Sequence, residues 1–471
     1  MNQVKMEKKS KTKNNNIIEG SIWKSMLASF AALLLGAFFQ QFYNTVDAII
    51  VGKAVGSDAL AAVGGSAAMV VNLFVGFFMG LSSGATVVIA QFYGAGRKDE
   101  VKKAVHTAIA MSIAGGALIT LIGVFIAPWI IGAMKTPVEV IEASTIYLRI
   151  YFIGMIANLV YNMGAGILRA IGDSRRPLYV LIISCFVNIF LDVLFVIWMG
   201  LGRMGINQGV TGVAAATVIC QIISAVIIVV ILMMTDDSYK LILREIRIDT
   251  GMLSRIIRIG FPAGIQTTMY TLSNILIQAS INEFGKDATA AWAAYGKIDV
   301  LFWMTIGSLG TAVTTFAGQN YGAGKYDRVR SSTRQAFIIA ACITIPLSTV
   351  LYFWGEGFLY IFVNESQVIQ IGIQMIKFLA PFYCLYIGVE IFSGVLRGMG
   401  SALIPMLITL SGICLLRVAW IMVVFPINRT IETVETSYPI TWGVTSTLFL
   451  IYYTFYVRKH KIRGNVDSTK R

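Results

Sequence analysis

Charge is scarce in this chain. Only 13% of its 471 residues are charged, against about 25% in a soluble domain. Hydrophobic residues make up 56% and the mean hydropathy is +0.74. A soluble core cannot use that much apolar surface, so lipid is the expected solvent. Histidine is nearly missing. His106 and His460 are the two present, and neither has a second ligand type close in sequence. The five cysteines, Cys185, Cys220, Cys342, Cys384 and Cys414, fall in apolar runs with no metal-ligand spacing, and they read as small buried hydrophobes. These shortages leave little for a metal centre or histidine-based catalysis, so the chain reads as a non-enzyme without a cofactor. No G-x-x-x-x-G-K-[ST] stretch occurs, which leaves direct drive by ATP unsupported. The basic start, Met1 to Asn16, lacks the apolar core and cleavage site of a signal peptide.

Long apolar runs are what the chain has instead. Runs near the ~20 residues a spanning helix needs lie at 26–52, 65–92, 104–130, 143–168, 177–200, 210–234, 259–282, 289–316, 335–354, 369–396, 405–426 and 440–457. The fold class expected is therefore all-α and polytopic, with twelve transmembrane helices. With the N-terminus inside and the spans alternating, the inner segments collect most Lys and Arg residues. Among them are Lys5, Lys8, Lys9, Arg97, Lys98, Lys102, Arg175, Arg176, Arg244, Arg255, Arg328, Arg334, Arg458 and Lys461. Outside the spans on the other side lie only Lys53, Lys135, Arg203, Lys286 and Arg429. That bias places both termini in the cytoplasm of a plasma-membrane protein. It also explains the net charge of +14 without a nucleic-acid partner.

The second half repeats the first. Gln91, Tyr93, Gly94, Ala95, Gly96, Asp99 and Val101 recur as Gln319, Tyr321, Gly322, Ala323, Gly324, Asp327 and Val329. Gly166, Leu168, Arg169, Gly172 and Pro177 recur as Gly394, Leu396, Arg397, Gly400 and Pro405. The shift is 228 residues in both blocks (319 less 91, 394 less 166). A shift of six spans keeps orientation, so the halves are parallel repeats about an axis along the membrane normal. The expected organisation is a tail at 1–25, an N-lobe at 26–234, a cytoplasmic linker at 235–258, a C-lobe at 259–457 and a tail at 458–471. The Gly-Ala-Gly turns read as helix stops. Two pseudo-twofold lobes have a natural cavity between them, and their rocking gives alternating access.

Ionisable residues within spans are costly and therefore functional candidates. The acids are Asp47, Asp192, Asp299 and Glu390; the bases are Arg149, Lys297, Lys377 and Arg417. Asp47 follows Tyr43 and Asn44 in the first span, and Asn44 at i−3 shares its helix face. Asp192 in the fifth span has Asn188 one turn earlier. Both acids fall in the outer half of the membrane and can meet. Carboxylate and amide oxygens together suit a hard monovalent cation, and two close carboxylates suit a proton. Asp299 and Glu390 read either as substrate contacts or as ion pairs with Arg417 or Lys377. Trp292, Tyr295, Phe302 and Trp303, with Phe382, Tyr383 and Tyr386, supply aromatic walls that would favour a cation. Asn44, Tyr43, Asp299, Tyr386 and Glu390 are the candidates for a substrate cavity.

At these residues the sequence resembles the multidrug and toxic compound extrusion (MATE) family. The resemblance rests on the duplicated halves, the Gln-x-Tyr-Gly-Ala-Gly turns and the Leu-Arg-x-x-Gly endings. It rests also on the run from Asn44 to Gly52, on Asn188-Ile189-Phe190-Leu191-Asp192, and on Gly212 to Thr217. It covers essentially residues 20 to 457. It implies two six-helix lobes in a V and antiport of small organic cations against protons or sodium ions. It also implies that Asp47, Asn188, Asp192 and Thr217 line the cation site, with sodium, if used, at Asp47, Asn188 and Asp192. Some members carry a glutamate after the proline of the seventh span, where this chain has Pro262 followed by Met269 and Tyr270. Some carry an aspartate near the position of Tyr386, where this chain has Glu390 one turn on. A C-lobe cation site is therefore not carried over.

A flippase for a lipid-linked or amphipathic substrate is the alternative reading, kept open by the four in-span bases. A membrane enzyme would need a nucleophile–base pair that two histidines do not supply. A channel fits the two-lobe duplication poorly. The expected partners are small organic cations and the lipid bilayer, with the protein acting as a monomer.

Overall fold

The computed structural model describes residues 17–134 and 136–468, with side chains as far as Arg458. The tail to Asn16, Lys135 and the side chains from Lys459 onward, His460 included, lie outside the described residues. Among the described residues the regular structure is helical, with no strand.

The twelve predicted spans are twelve helical passes. They are α1 (Ile22–Ala54), α2 (Ser57–Gly64 and Ser66–Gly94), α3 (Lys98–Ala133), α4 (Val138–Ile153 and Met155–Ala170), α5 (Arg175–Asp192, then Val193–Trp198) and α6 (Ile206–Met233). They continue as α7 (Thr250–Asn282), α8 (Lys286–Gly322), α9 (Tyr326–Leu359) and α10 (Ser366–Leu379 and Tyr383–Gly398). Last come α11 (Leu403–Thr409, Leu410–Leu415 and Leu416–Val423) and α12 (Ile431–Ser468). Ten are long and apolar enough to cross a bilayer, and the two halves of α4, bent by 50°, make an eleventh. The remaining pass, α7, has 33 residues, ample at about 1.5 Å each for a ~30 Å hydrocarbon core. Large apolar side chains stand outward, as with Phe125, Trp129, Phe353 and Phe455. Such a surface suits lipid and would be a liability in water.

The repeat is visible in the backbone. Gly96 (φ 70°) and Gly324 (φ 71°) occupy the left-handed region at equivalent places, as do Gly172 (φ 92°) and Gly400 (φ 88°). After Gly96, the Arg97 N–H donates to the Phe92 carbonyl at 3.0 Å; after Gly324, the Lys325 N–H donates to Asn320 at 2.8 Å. Asp173 to Leu168 and Ser401 to Leu396, both 2.9 Å, repeat the pattern. This is the Schellman helix stop, which needs a residue free to take positive φ. The Gly-Ala-Gly turns are helix ends, as their composition suggests.

The chain divides into two compact units. An N-unit holds Ala32–Phe92 and Arg97–Thr268; a C-unit holds Tyr93–Gly96 and Met269 onward, with the stretch to Ala31. Within the N-unit, α2 and the first half of α7 cross at glycines. A β-carbon on Gly80 would stand 2.3 Å from the Gly264 nitrogen, and one on Gly84 would stand 2.5 Å from that of Gly260. Within the C-unit, Arg328 donates to the carbonyls of Ile17 (2.9 Å) and Gly20 (2.8 Å), which holds the residues before α1 against the start of α9.

Three expectations change here. The cytoplasmic linker expected at 235–258 is shorter. It is docked on α3, and α7 begins at Thr250, where the Asp249 side chain caps the helix by accepting the Met252 N–H at 2.9 Å. The last helix begins at Ile431 rather than at 440, carrying Pro439 inside it. Its first turns are polar but packed. Glu435, which falls outside the apolar run, is 1% exposed. Two of the cysteines, Cys342 and Cys384, are exposed rather than buried.

Candidate functional site

In the N-unit, α1 and α5 bring Asp47 and Asp192 together. The two carboxyl groups lie within hydrogen-bonding reach of each other. Asp192 is 0% exposed and Asn188, one turn earlier, 1%. Both Asp192 oxygens, Oδ1 of Asp47 and both amide atoms of Asn188 have no donor or acceptor of their own among the described residues. Two ionised carboxylates have no proton to share, so their contact becomes a hydrogen bond only when one is protonated. Unpaired buried oxygens are expensive, and a proton or a small cation would satisfy them. Directly after Asp192 the helix widens into a π-helical stretch, Val193–Trp198. Such bulges recur at functional sites.

The neighbours of this pair differ in part from expectation. Tyr43, one turn before Asp47, lies near it with Tyr151, Tyr161 and Cys220. Tyr147 of α4 faces both acids. Asn44 is exposed instead, because the face α1 buries here runs through Tyr43 and Asp47. Thr217 is half-buried, and its hydroxyl donates to the Val213 carbonyl at 3.0 Å. The residue of α6 that interacts with both acids is Cys220.

The C-unit holds a separate aromatic cluster around Asp299. The Tyr383 hydroxyl donates to Asp299 Oδ1 and the Trp303 indole to Oδ2, each at 2.6 Å. Tyr295 and Tyr383 share a hydrogen bond at 3.0 Å. Phe302 stacks on Tyr383 at 4.2 Å, and Tyr386 meets Trp303 edge-on at 4.7 Å. Tyr386 lies close to Glu390, one turn on, and its hydroxyl donates to that of Tyr270 at 3.4 Å. The acid of Glu390 lies flat against Gly310 of α8, where a β-carbon would collide with it.

The ion pairs expected for Asp299 and Glu390 are not formed. Lys297, Lys377 and Arg149 are exposed. Arg417 is buried at 2% exposure, yet donates to Asn274 Oδ1 (3.4 Å) and Thr441 Oγ1 (3.3 Å) and sits over the Tyr438 ring at 4.1 Å. Among the described residues the salt bridges are those of Arg97, Lys102, Arg176 and Lys240, near helix ends or in the docked linker. Among those residues, no group of three or more His, Cys, Asp or Glu is placed to hold a metal ion.

The MatE family profile matches residues 32–194 and 262–423, one match in each half. The chain belongs to the MatE family. Among curated relatives of this MatE protein is the "Probable multidrug resistance protein YoeA" of Bacillus subtilis (strain 168), 30% identical over 94% of this chain and 96% of the relative. The "Probable multidrug resistance protein NorM" of Thermotoga maritima is 26% identical over 73% of each chain. Among solved structures, a MOP superfamily transporter from Pyrococcus furiosus superposes with a TM-score of 0.87 at 23% identity, covering 96% of this chain and 99% of that one. Likeness at that identity establishes the fold: an all-α polytopic architecture with twelve helices in two lobes.

Sequence reasoning overlooked three MatE residues that the fold makes prominent. Tyr147 and Tyr151 are one turn apart on α4, an i, i+4 aromatic pair that could have been noticed. Glu435 gave no signal, because it precedes the apolar run of its helix.

Proposed function

We propose that this MatE transporter exports small organic cations in exchange for protons or sodium ions, by alternating access of its two lobes. The observation that carries the reading is the contact of Asp47 with Asp192, beside an Asn188 with no partner. An antiporter needs a site whose occupancy by the driving ion changes the stability of one state over the other. Two carboxyls with buried, unsatisfied oxygens meet that need, since their charge is tolerable in the membrane only when offset. Relatives named as multidrug resistance proteins support a drug-like substrate, and the aromatic cluster around Asp299 supports a cationic one. Both lobes come from one chain, in keeping with a monomer. The Lys and Arg bias supports a plasma-membrane protein with both termini inside.

The flippase reading has less support. It needs clustered bases for a pyrophosphate, and three of the four in-span bases are exposed and scattered. Transport of tetraphenylphosphonium by proteoliposomes, under a proton gradient and a sodium gradient imposed separately, tests the proposal. Uptake driven by one gradient and not by a salt-matched control is the expected result. Equal uptake with no gradient would remove the antiport reading.

A further inference from the structure

Arg417 and Glu435 pose a problem of charge. Both are essentially buried, at 2% and 1% exposure, on adjoining helices α11 and α12 of the C-unit. A guanidinium is always charged, and a buried charge is normally paired. Yet Arg417 Nε has no acceptor and Glu435 Oε1 has no donor among the described residues. The two side chains do not form a salt bridge, although Tyr438 interacts with both. Tyr438 carries the guanidinium on its face at 4.1 Å. It sits three residues from Glu435, hence on the same side of α12, and interacts electrostatically with Arg417, Asp299 and Glu435 alike. The two helices are tied at this level by the Trp420 indole, which donates to the Thr433 carbonyl at 2.8 Å.

The charged and titratable groups about Glu435 are few. Glu432 lies one turn earlier on its own helix. Arg417 of α11 and Asp299 of α8 interact with the neighbouring Tyr438. Asp299 is already held by Tyr383 and Trp303, so it does not serve Arg417. An unpartnered buried carboxylate is far costlier than the neutral acid.

We propose that Glu435 is a proton-binding site of the C-half, holding its proton in the conformation described here and pairing with Arg417 when the proton leaves. The step is a simple ionisation. The Glu435 O–H bond breaks, the proton passes to water, and the carboxylate accepts the free Nε–H of Arg417. The guanidinium then trades the face of Tyr438 for an ion pair, and that exchange couples the proton to the packing of α11 on α12. Neither the family resemblance nor the Asp47–Asp192 pair enters this argument, so the site stands or falls separately from the N-unit site.

The test is infrared difference spectroscopy of the full-length purified protein between acidic and alkaline pH. The neutral carboxyl groups of the wild type give a carbonyl band that is lost on alkalinisation. Glu435→Gln should lack one component of that band, and Glu435→Asp should retain it at a shifted position. Arg417→Gln should shift the pH at which the same component disappears, because the ion pair that follows deprotonation is gone. The double variant Asp47→Asn, Asp192→Asn should keep the component. A Glu435→Gln spectrum with every component intact overturns the proposal, as does an unchanged midpoint in Arg417→Gln. Should Glu435→Gln fail to fold, a band in Glu435→Asp identical to the wild type would overturn it too.

Discussion

His106 Nε2 accepts the backbone N–H of Ile242 at 3.1 Å, a bond that helps to hold the connection between the halves on α3. The other ring nitrogen, Nδ1, lies 2.7 Å from the Lys102 carbonyl and donates to it, which assigns the neutral tautomer. Thr107 Oγ1 accepts the Asp249 N–H at 3.1 Å, and Leu241 is buried alongside. His106→Ala leaves the Ile242 amide with no acceptor, at a cost of about 1–3 kcal/mol. If opening is fast relative to cleavage, tryptic cutting at Lys240 and Arg244 should rise roughly 5- to 150-fold. Cleavage at the wild-type rate would mean the linker is held by other contacts.

The flanking ion pair, Lys102 to Glu245 at 2.6 Å, should matter much less. Its hydrogen bond to the ammonium holds the Glu245 carboxyl below its usual value. A lowered carboxyl contributes above its unfolded pKa and loses that contribution as pH falls through the folded one. The contribution of this ion pair is therefore expected to be flat across neutral pH and to fall only in acid. Pairs this exposed are worth little, so Glu245→Gln should leave the tryptic pattern nearly unchanged at pH 7. A rise as large as that of His106→Ala would refute the ranking.

Asp47→Asn and Asp192→Asn keep the size of each side chain while removing its charge. Each should abolish gradient-driven efflux and leave membrane insertion and equilibrium substrate binding in place. Efflux at the wild-type rate in both variants, under the same gradient, would take the coupling role away from this pair.

Glu390 lies beside Tyr386 at the aromatic cluster. Glu390→Gln should weaken binding of cationic substrates by about tenfold, equivalent to ~1.4 kcal/mol, and affect neutral ones much less. An equal loss for both classes would point to a packing role against Gly310.

Cysteines at Asp99 and Asp327 should be labelled by an impermeant reagent only from the cytoplasm, and one at Asp287 only from outside. The exposed native Cys342 and Cys384 require a cysteine-free background. Labelling of the first two from opposite faces would end the parallel-repeat organisation.

The passes and their duplication were legible in the residues alone, because both have local causes. A lipid core demands a long apolar helix wherever the chain crosses, and a helix that stops at a left-handed residue wants glycine there. Gly96 and Gly324 therefore announce the same turn twice. Local reasoning also placed Asp47 and Asp192 at similar depth. Which side chains meet depends on how each helix is rotated, and that is settled by packing among several helices at once. Rotation turned Asn44 outward and Tyr43 inward on α1, left Thr217 bonded to its own helix, and set Cys220 and Tyr147 against the acids. It also gave Arg417 a tyrosine face, which decided against the carboxylate partner that one of two readings offered. The burial of Glu435 was decided in the same way: a polar helix start reads as a loop until the helices around it exclude water.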